Sequence, residues 1–514
     1  MSSGISSKTT IAKNTVLLYG RTVLIMVVTL YTSRVILQAL GVEDYGVYTA
    51  IGGIVSLLSV VIGPIDGSIS RFLTYELGRG DKGMLRRYFS TGLTIMVLFS
   101  LLTIIILETI GIWFLNNKMV IDPSRLTAAN WVLHLSILAF VVNMLSSPYR
   151  ATLIAHERMT LFAYLGIVDV VLKLGVAFII KYSSSDKLIF YAVLMLVVAI
   201  LIRFIYAVVC NREFEECHKP KLNIDRELFG VLFSFAGWNL FGAVAGVCKG
   251  QGINILFNLF GGPVVNAAYG IAHQVNGAVG SFVNNFTTAI NPSIIKSYAA
   301  KQKDYMLSLV YQGAKYSFFL VFFFALPLIL ETNYITNIWL GQIPKYSVAF
   351  IRLMLLHSLI ESFSKTIMTG THASGNIRMY QLIVGGLQIL ILPISYVLLK
   401  IGFTPISVLL CTVIMDVISL IVRMLLARRI FHLSFWFFFK KVLIVSALTT
   451  IAAASIPLAI HLIMEESFLR FFIVAITGFI ITILSILYIG CSNSERHSIF
   501  NKVHMVFNRL LKNK

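Results

Sequence analysis

Long apolar stretches alternate with short polar ones along the whole 514-residue chain. About twenty apolar residues in a helix cross a hydrocarbon layer roughly 30 Å thick. Runs of that size without Asp, Glu, Lys or Arg occur at Leu228–Cys248, Val264–Ile295, Met379–Leu399 and Phe471–Ser494. Allowing a few charges, the pattern predicts spans over 14–38, 45–77, 88–115, 126–149, 159–180, 188–211, 228–258, 264–295, 306–330, 346–369, 379–399, 405–427, 442–461 and 471–491. The tenth is the most interrupted, by Arg352, Glu361 and Lys365. Only helices and closed barrels satisfy every backbone group in lipid. The expectation is an all-α polytopic membrane protein of about fourteen transmembrane helices.

Composition agrees. Hydrophobic residues make up 58% of the chain and charged residues 12%, with a mean hydropathy of +0.86. Soluble domains carry about 25% charged residues. A net charge of +20 would point to nucleic acid in a soluble protein, but here membrane orientation accounts for it and no nucleic acid is expected. Outside the spans, the loops on the amino-terminal side hold 25 Lys and Arg, and those on the other side hold 7. Cytoplasmic loops carry the basic excess, so both termini are expected in the cytoplasm of a bacterium, with the protein in its inner membrane. Lys8 and Lys13 precede an apolar stretch that continues past Arg21 to about Gln38 without a cleavage site, and it reads as a retained first span. The basic tail Glu495–Lys514 reads as an anchor on anionic lipid. The five cysteines form no CxxC pair, so neither a disulfide framework nor a metal site is expected.

A weak internal repeat divides the chain. Leu40-Gly41-Val42-Glu43-Asp44-Tyr45-Gly46-Val47-Tyr48 follows the first span, and Phe260-Gly261-Gly262-Pro263 with Asn266-Ala267-Ala268-Tyr269-Gly270 follows the seventh. Two six-helix lobes, 1–227 and 228–437, would then precede a terminal helix pair and tail, 438–514. Such repeats are a common construction of transporters, with the substrate between the halves.

Charge inside a span costs about 2.5 kcal/mol or more at its centre. Asp169 with Lys173, and Glu361 with Lys365, stand four apart and can pair on one helix face. Arg203, Arg423 and Arg34 lie toward span ends and can reach the interface. Arg21 has no acidic residue before Glu43, and Lys249 lies in an acid-free interval from Glu227 to Asp304. Asp66 and Glu76 each stand five residues from Arg71, off its helix face. The acid-free interval also holds Asn254, Asn258, Gln274 and Asn285 among many amides and glycines. Amides suit sugar hydroxyls and a basic residue among them suits a phosphate; close helix packing through the glycines is the alternative. His273 and His357 are isolated and read as packing residues. No P-loop, HExxH or Ser/His/Asp motif with usable context is present, and no cofactor is expected. The outer loops are too short for a large catalytic domain, so the chain is not expected to be an enzyme.

The opening Lys13-Asn14-Thr15, Arg21, Arg34 and the turn Leu40–Tyr48 resemble the start of the Wzx-type polysaccharide flippases, which carry O-antigen and capsule units and belong to the multidrug/oligosaccharidyl-lipid/polysaccharide (MOP) superfamily. The resemblance implies a V-shaped, MATE-like, alternating-access transporter. Its cargo would be an undecaprenyl-pyrophosphate-linked oligosaccharide, and its partners membrane lipids and the polymerase and glycosyltransferases of one pathway. In related lipid II flippases, cations on the first, second and eighth spans hold the pyrophosphate. Arg21 and Arg71 match the first two. The eighth span has no charge before Lys296, and Lys249 on the seventh is the candidate substitute. The last two spans resemble a pair that holds the lipid tail. A drug or cation antiporter of the same superfamily is the alternative, with Asp66 and Asp169 as ion-coupling residues. A membrane glycosyl transferase or ligase is a third reading.

The topology is testable. In a cysteine-free background, single cysteines at Asn117 and Gln342 should react with an impermeant thiol reagent added outside the inner membrane, and one at Lys219 should not. External labelling at Lys219 would break the fourteen-span arrangement.

Overall fold

A computed structural model describes residues 8–56, 58–119, 121–183, 186–218, 225–340, 343–493 and 495–496. No strand occurs among them. The helices, in chain order, are α1 Lys8–Leu40, α2 Val42–Ser56, α3 Ser59–Arg79, α4 Lys82–Ile106, α5 Ile112–Lys118, α6 Leu126–Leu145, α7 Ser147–Ala155, α8 Met159–Lys181, α9 Lys187–Glu213, α10 Arg226–Ala299, α11 Lys303–Leu330, α12 Thr332–Leu340, α13 Ser347–Ser362, α14 Ser364–Ser374, α15 Arg378–Lys400, α16 Ile406–Phe431, α17 Phe435–Phe438, α18 Val445–Ile463 and α19 Phe468–Ser485. A π-helical turn, Leu107–Gly111, joins α4 to α5. Most of the tail, 497–514, lies outside the described residues, as does Lys219.

Twelve of the described helical stretches are long and apolar enough to cross a membrane. They coincide with every predicted span except 45–77 and 264–295. Those two are helical as well, as α2 with α3 and as the second half of α10. What separates them is polarity. The α3 helix carries Asp66, Arg71, Glu76 and Arg79, and the second half of α10 carries Asn266, His273, Gln274, Asn276, Asn284, Asn285 and Asn291. A helix of that composition is paid back only by water or by other helices.

Turns and caps follow from local chemistry. Gly41 and Gly262 take φ of +83° and +70°, a region that costs a residue with a Cβ. At Gly262 ψ is −171°, which breaks α10 into the seventh and eighth predicted spans. Other ends are fixed by side chains. Asp81 accepts from Met84 N at 2.9 Å, Asp186 from Leu188 N at 3.0 Å, and Asp225 from Leu228 N at 3.3 Å. Each such cap contributes about 1 kcal/mol. Asp225 also takes Arg87 Nε at 3.0 Å, and these donors hold its carboxyl below the usual carboxylate range.

The chain forms two compact units, residues 1–244 with 288–306 and residues 245–287 with 307–514. The chain therefore passes between the units twice inside α10, after 244 and after 287, and once inside α11, after 306. In the first unit α1 packs along α8, α6 along α9 and α3 along α7. Its main core joins Ile51 and Val55 of α2 to Leu133 and Ile137 of α6 and Ala192 of α9. Lys296 reaches Glu157 at 2.9 Å, both side chains being buried. A Cβ on Gly78 would stand 2.7 Å from the Lys296 carbonyl, so only glycine lets α3 approach α10 there.

The second unit holds α18 and α19 firmly. Glu331, 0% exposed, accepts from Arg470 Nη2 at 2.9 Å and meets His461 Nδ1 at 2.8 Å. Lys315 bonds Glu495 at 3.1 Å. Between these points Phe323 stacks on Phe479 with ring centroids 4.6 Å apart. The terminal pair is thus tied to α11 by ion pairs at both ends. Removing one partner of a buried pair costs about 3–5 kcal/mol, because the other charge is left uncompensated. Arg470→Leu should therefore lower the thermal unfolding midpoint of the purified protein, and the double variant Glu331→Gln/Arg470→Gln should recover much of the loss. Equal midpoints for Arg470→Leu and wild type would remove this anchoring role.

Candidate functional site

In the first unit, Arg21 of α1 lies against α8. Its guanidinium carbon sits 4.5 Å from the centroid of Phe162, and its Nε is buried without a hydrogen-bond partner. Asp169 of α8 and Tyr206 of α9 are within electrostatic reach. The missing acidic partner of the first helix is thus supplied, at longer range, by the eighth. Gly166 makes the room: a Cβ there would stand 2.4 Å from Arg21 Nε. One turn further on, Asp169 and Lys173 pair at 2.7 Å, as their spacing predicts. Both help line a cavity of about 240 Å³ together with Tyr48, Ser136 and Asn143.

The other candidates of this unit are placed differently. Asp66 accepts from the Ser147 hydroxyl and lies 3.6 Å from Arg150. Arg71 is 7% exposed and packs on three rings, those of Phe72 at 4.3 Å, Tyr75 at 4.7 Å and Phe235 at 5.5 Å. Such cation–π contacts are worth about 2 kcal/mol or more where the charge is desolvated. Arg34 is exposed near the end of α1. Arg21 and Asp169 are brought together, whereas Arg71 is enclosed by aromatic side chains. Sequence reasoning missed Phe162, Tyr206 and Arg150, which carry no spacing signal because each meets its partner from another helix.

In the second unit, Lys249 lies on the first half of α10. The carboxylate of Glu361 on α13 is within electrostatic reach of it. Glu361 Oε1 takes Lys365 Nζ at 2.9 Å, again as the spacing predicts, and Oε2 lies 3.5 Å from His357 Nε2. The opposite ring nitrogen, Nδ1, bonds Asp416 of α16. His357 is therefore not the isolated packing residue its sequence context implies. Arg423 also departs from expectation. It is buried and bonds the Tyr380 hydroxyl rather than reaching an interface. Among the amides, Asn258 and Gln274 are exposed, and Asn254 and Asn285 are half-buried. Asn276 accepts from the Ser358 hydroxyl.

Two units of packed helices, twelve of them long and apolar enough to cross a membrane among the described residues, give the architecture of a multi-pass membrane protein. Solved transporter structures share this fold. An outward-facing multidrug resistance MATE family transporter of the MOP superfamily superposes with a TM-score of 0.72 at 12% identity, covering 82% of this chain and 95% of its own. A MATE in complex with MaD3S gives 0.71 at 12% identity and the same coverages. A MOP superfamily transporter from Pyrococcus furiosus, described by the reverse polarity of its binding pocket, gives 0.70 at 11% identity, again over 82% and 95%. The sequence itself belongs to the polysaccharide biosynthesis protein family, which it matches over residues 11–298. No curated protein matches it significantly in sequence.

The Arg21 pocket gives a direct test. The atom that a Gly166 Cβ would strike is the end of a flexible side chain, so Gly166→Ala should displace the guanidinium without unfolding α8. The variant should insert at wild-type abundance and transport poorly. Gly175→Ala on the same helix, where a Cβ meets nothing within 4 Å, should behave as wild type. Equal transport by the two variants would show that the position of Arg21 does not matter.

Proposed function

We propose that this protein is a flippase that moves undecaprenyl-pyrophosphate-linked oligosaccharide across the bacterial inner membrane by alternating access, for O-antigen, capsule or exopolysaccharide synthesis. The observation that carries the reading is the polarity of α3 and of the second half of α10, both helical and both rich in polar groups. On the second half of α10, Gly270, Gln274, Gly277 and Asn284 are exposed at helical spacing. A row of small and amide groups on one face suits a wet path for a glycan, whose hydroxyls need both donors and acceptors. Family membership supports a role in polysaccharide biosynthesis, and the fold supports transport.

The pyrophosphate head must keep its charge compensated while it leaves bulk water. One cation about 4 Å away supplies roughly 4 kcal/mol at an effective dielectric constant of 20. Arg21 is the best placed in the first unit, with a buried Nε left unbonded, and Lys249 in the second. Arg34, Asn254, Asn258, Gln274 and Asn285 complete the proposed contacts. Arg71 contributes through its position, since rings already cover it. Both termini are assigned to the cytoplasm, and the pathway's glycosyltransferases and polymerase are the proposed partners.

Ion-coupled export of drugs or cations is the second reading, because the MATE structures named above share the fold. It would place coupling at Asp169, which opens on the internal cavity, or at Asp66. The two readings differ in which charges matter. Arg21→Glu and Lys249→Glu should abolish surface glycan at matched membrane abundance, with Arg71→Glu also affecting abundance because its charge is buried among rings. Lys249→Arg should be milder than Lys249→Ala. Normal surface glycan in the Arg21→Glu and Lys249→Glu strains, with loss tracking Asp66→Asn or Asp169→Asn, would favour the antiporter.

A further inference from the structure

The second unit contains a charge cluster larger than a phosphate site needs. His357 and Glu361 come from α13, Lys365 from α14, Asp416 from α16 and Lys249 from α10. Tyr380 of α15 is within electrostatic reach of Glu361, and its hydroxyl is bonded by Arg423 of α16. Asn276 of α10 meets α13 beside His357, at Ser358. Glu361 thus meets Lys365, and an imidazole is strung between the two carboxylates with one ring nitrogen toward each.

Within this cluster the two carboxylates are not equivalent. Asp416 is 12% exposed and engages one partner, His357. Glu361 is 41% exposed and is shared by Lys365, His357 and, at longer range, Lys249. It pairs with Lys365 and is within electrostatic reach of the same lysine that the flippase reading assigns to the cargo's phosphate. A phosphate arriving between Lys249 and Lys365 has to compete with Glu361.

We propose that Glu361 is an exchangeable counter-anion: a phosphate-bearing cargo takes Lys249 and Lys365 from it, and the released carboxylate binds one proton. The step is an acid–base exchange in which the carboxylate becomes a carboxylic acid. The proton comes from water on the open side, directly or through His357 Nε2, which water then reprotonates. Asp416 holds the ring so that Nε2 stays aimed at Glu361. The driving force is the cost of leaving an ionised carboxylate without its cations in a region of low dielectric. Anion binding and proton binding then become linked, and each strengthens the other. This inference rests on the reading of Lys249 as a phosphate ligand.

Linkage fixes the sign. A proton taken up on binding makes the anion bind more tightly as pH falls, by up to about tenfold per unit. The experiment is calorimetric titration of the full-length protein in nanodiscs with inorganic pyrophosphate, in buffers of different ionisation enthalpy. Wild-type protein should take up about one more proton per anion bound than Glu361→Gln. The probe's own ionisation cancels in that difference. Glu361→Gln should also bind pyrophosphate at least as tightly as wild type, because the competitor is gone. Asp416→Asn should keep the binding and change the pH at which uptake occurs. Sulfate, which does not titrate near neutral pH, gives the uptake on wild-type protein alone and needs no variant to fold. Zero uptake with sulfate, or equal uptake by wild type and Glu361→Gln, would overturn the exchange while leaving a phosphate site. Unchanged pyrophosphate binding by Lys249→Ala would instead remove the phosphate site itself.

Discussion

A charge buried between packed helices has to be compensated where it stands, because neither water nor counterions can reach it. That requirement shapes each unit of this protein. Glu331 is wholly buried and is met by Arg470 and His461; Lys296 is met by Glu157; Lys315 is met by Glu495. These contacts join helices distant in sequence, so the ion pairs also decide which helices stay together. Where no full partner is supplied, as at Arg21 Nε, the structure keeps a donor that folding has not used.

The same accounting distinguishes two ways of holding a cation. Arg71 has the look of a ligand in the sequence, since nothing on its own helix face neutralises it. Folding surrounds it with Phe72, Tyr75 and Phe235 instead. The rings stabilise its charge without neutralising it. Lys249 is the opposite case. The carboxylate within its electrostatic reach, Glu361, is partly exposed and already paired with Lys365.

Much of the architecture could be read from the chain because a membrane helix writes its length directly into composition. The turns at Gly41 and Gly262 were equally legible, since they combine a break in the apolar pattern with a residue suited to positive φ. Pairs at a spacing of four, Asp169 with Lys173 and Glu361 with Lys365, followed from helix geometry alone. Contacts between helices did not. Nothing in the spacing of His357 and Asp416, or of Arg21 and Phe162, announces that they meet. Such contacts depend on the rotation of each helix about its axis, and apolar residues on every side of a lipid-embedded helix erase the moment that would fix it.

The burial of Glu331 has a consequence for how the chain is made. Arg470 follows it by 139 positions and His461 by 130. At about 5–20 residues per second, synthesis leaves this carboxylate without either partner for on the order of ten seconds. During that interval it stands at the end of α11 without the cations that bury it, so its burial has to wait for α18 and α19. The final two helices therefore complete the surroundings of a residue made long before them.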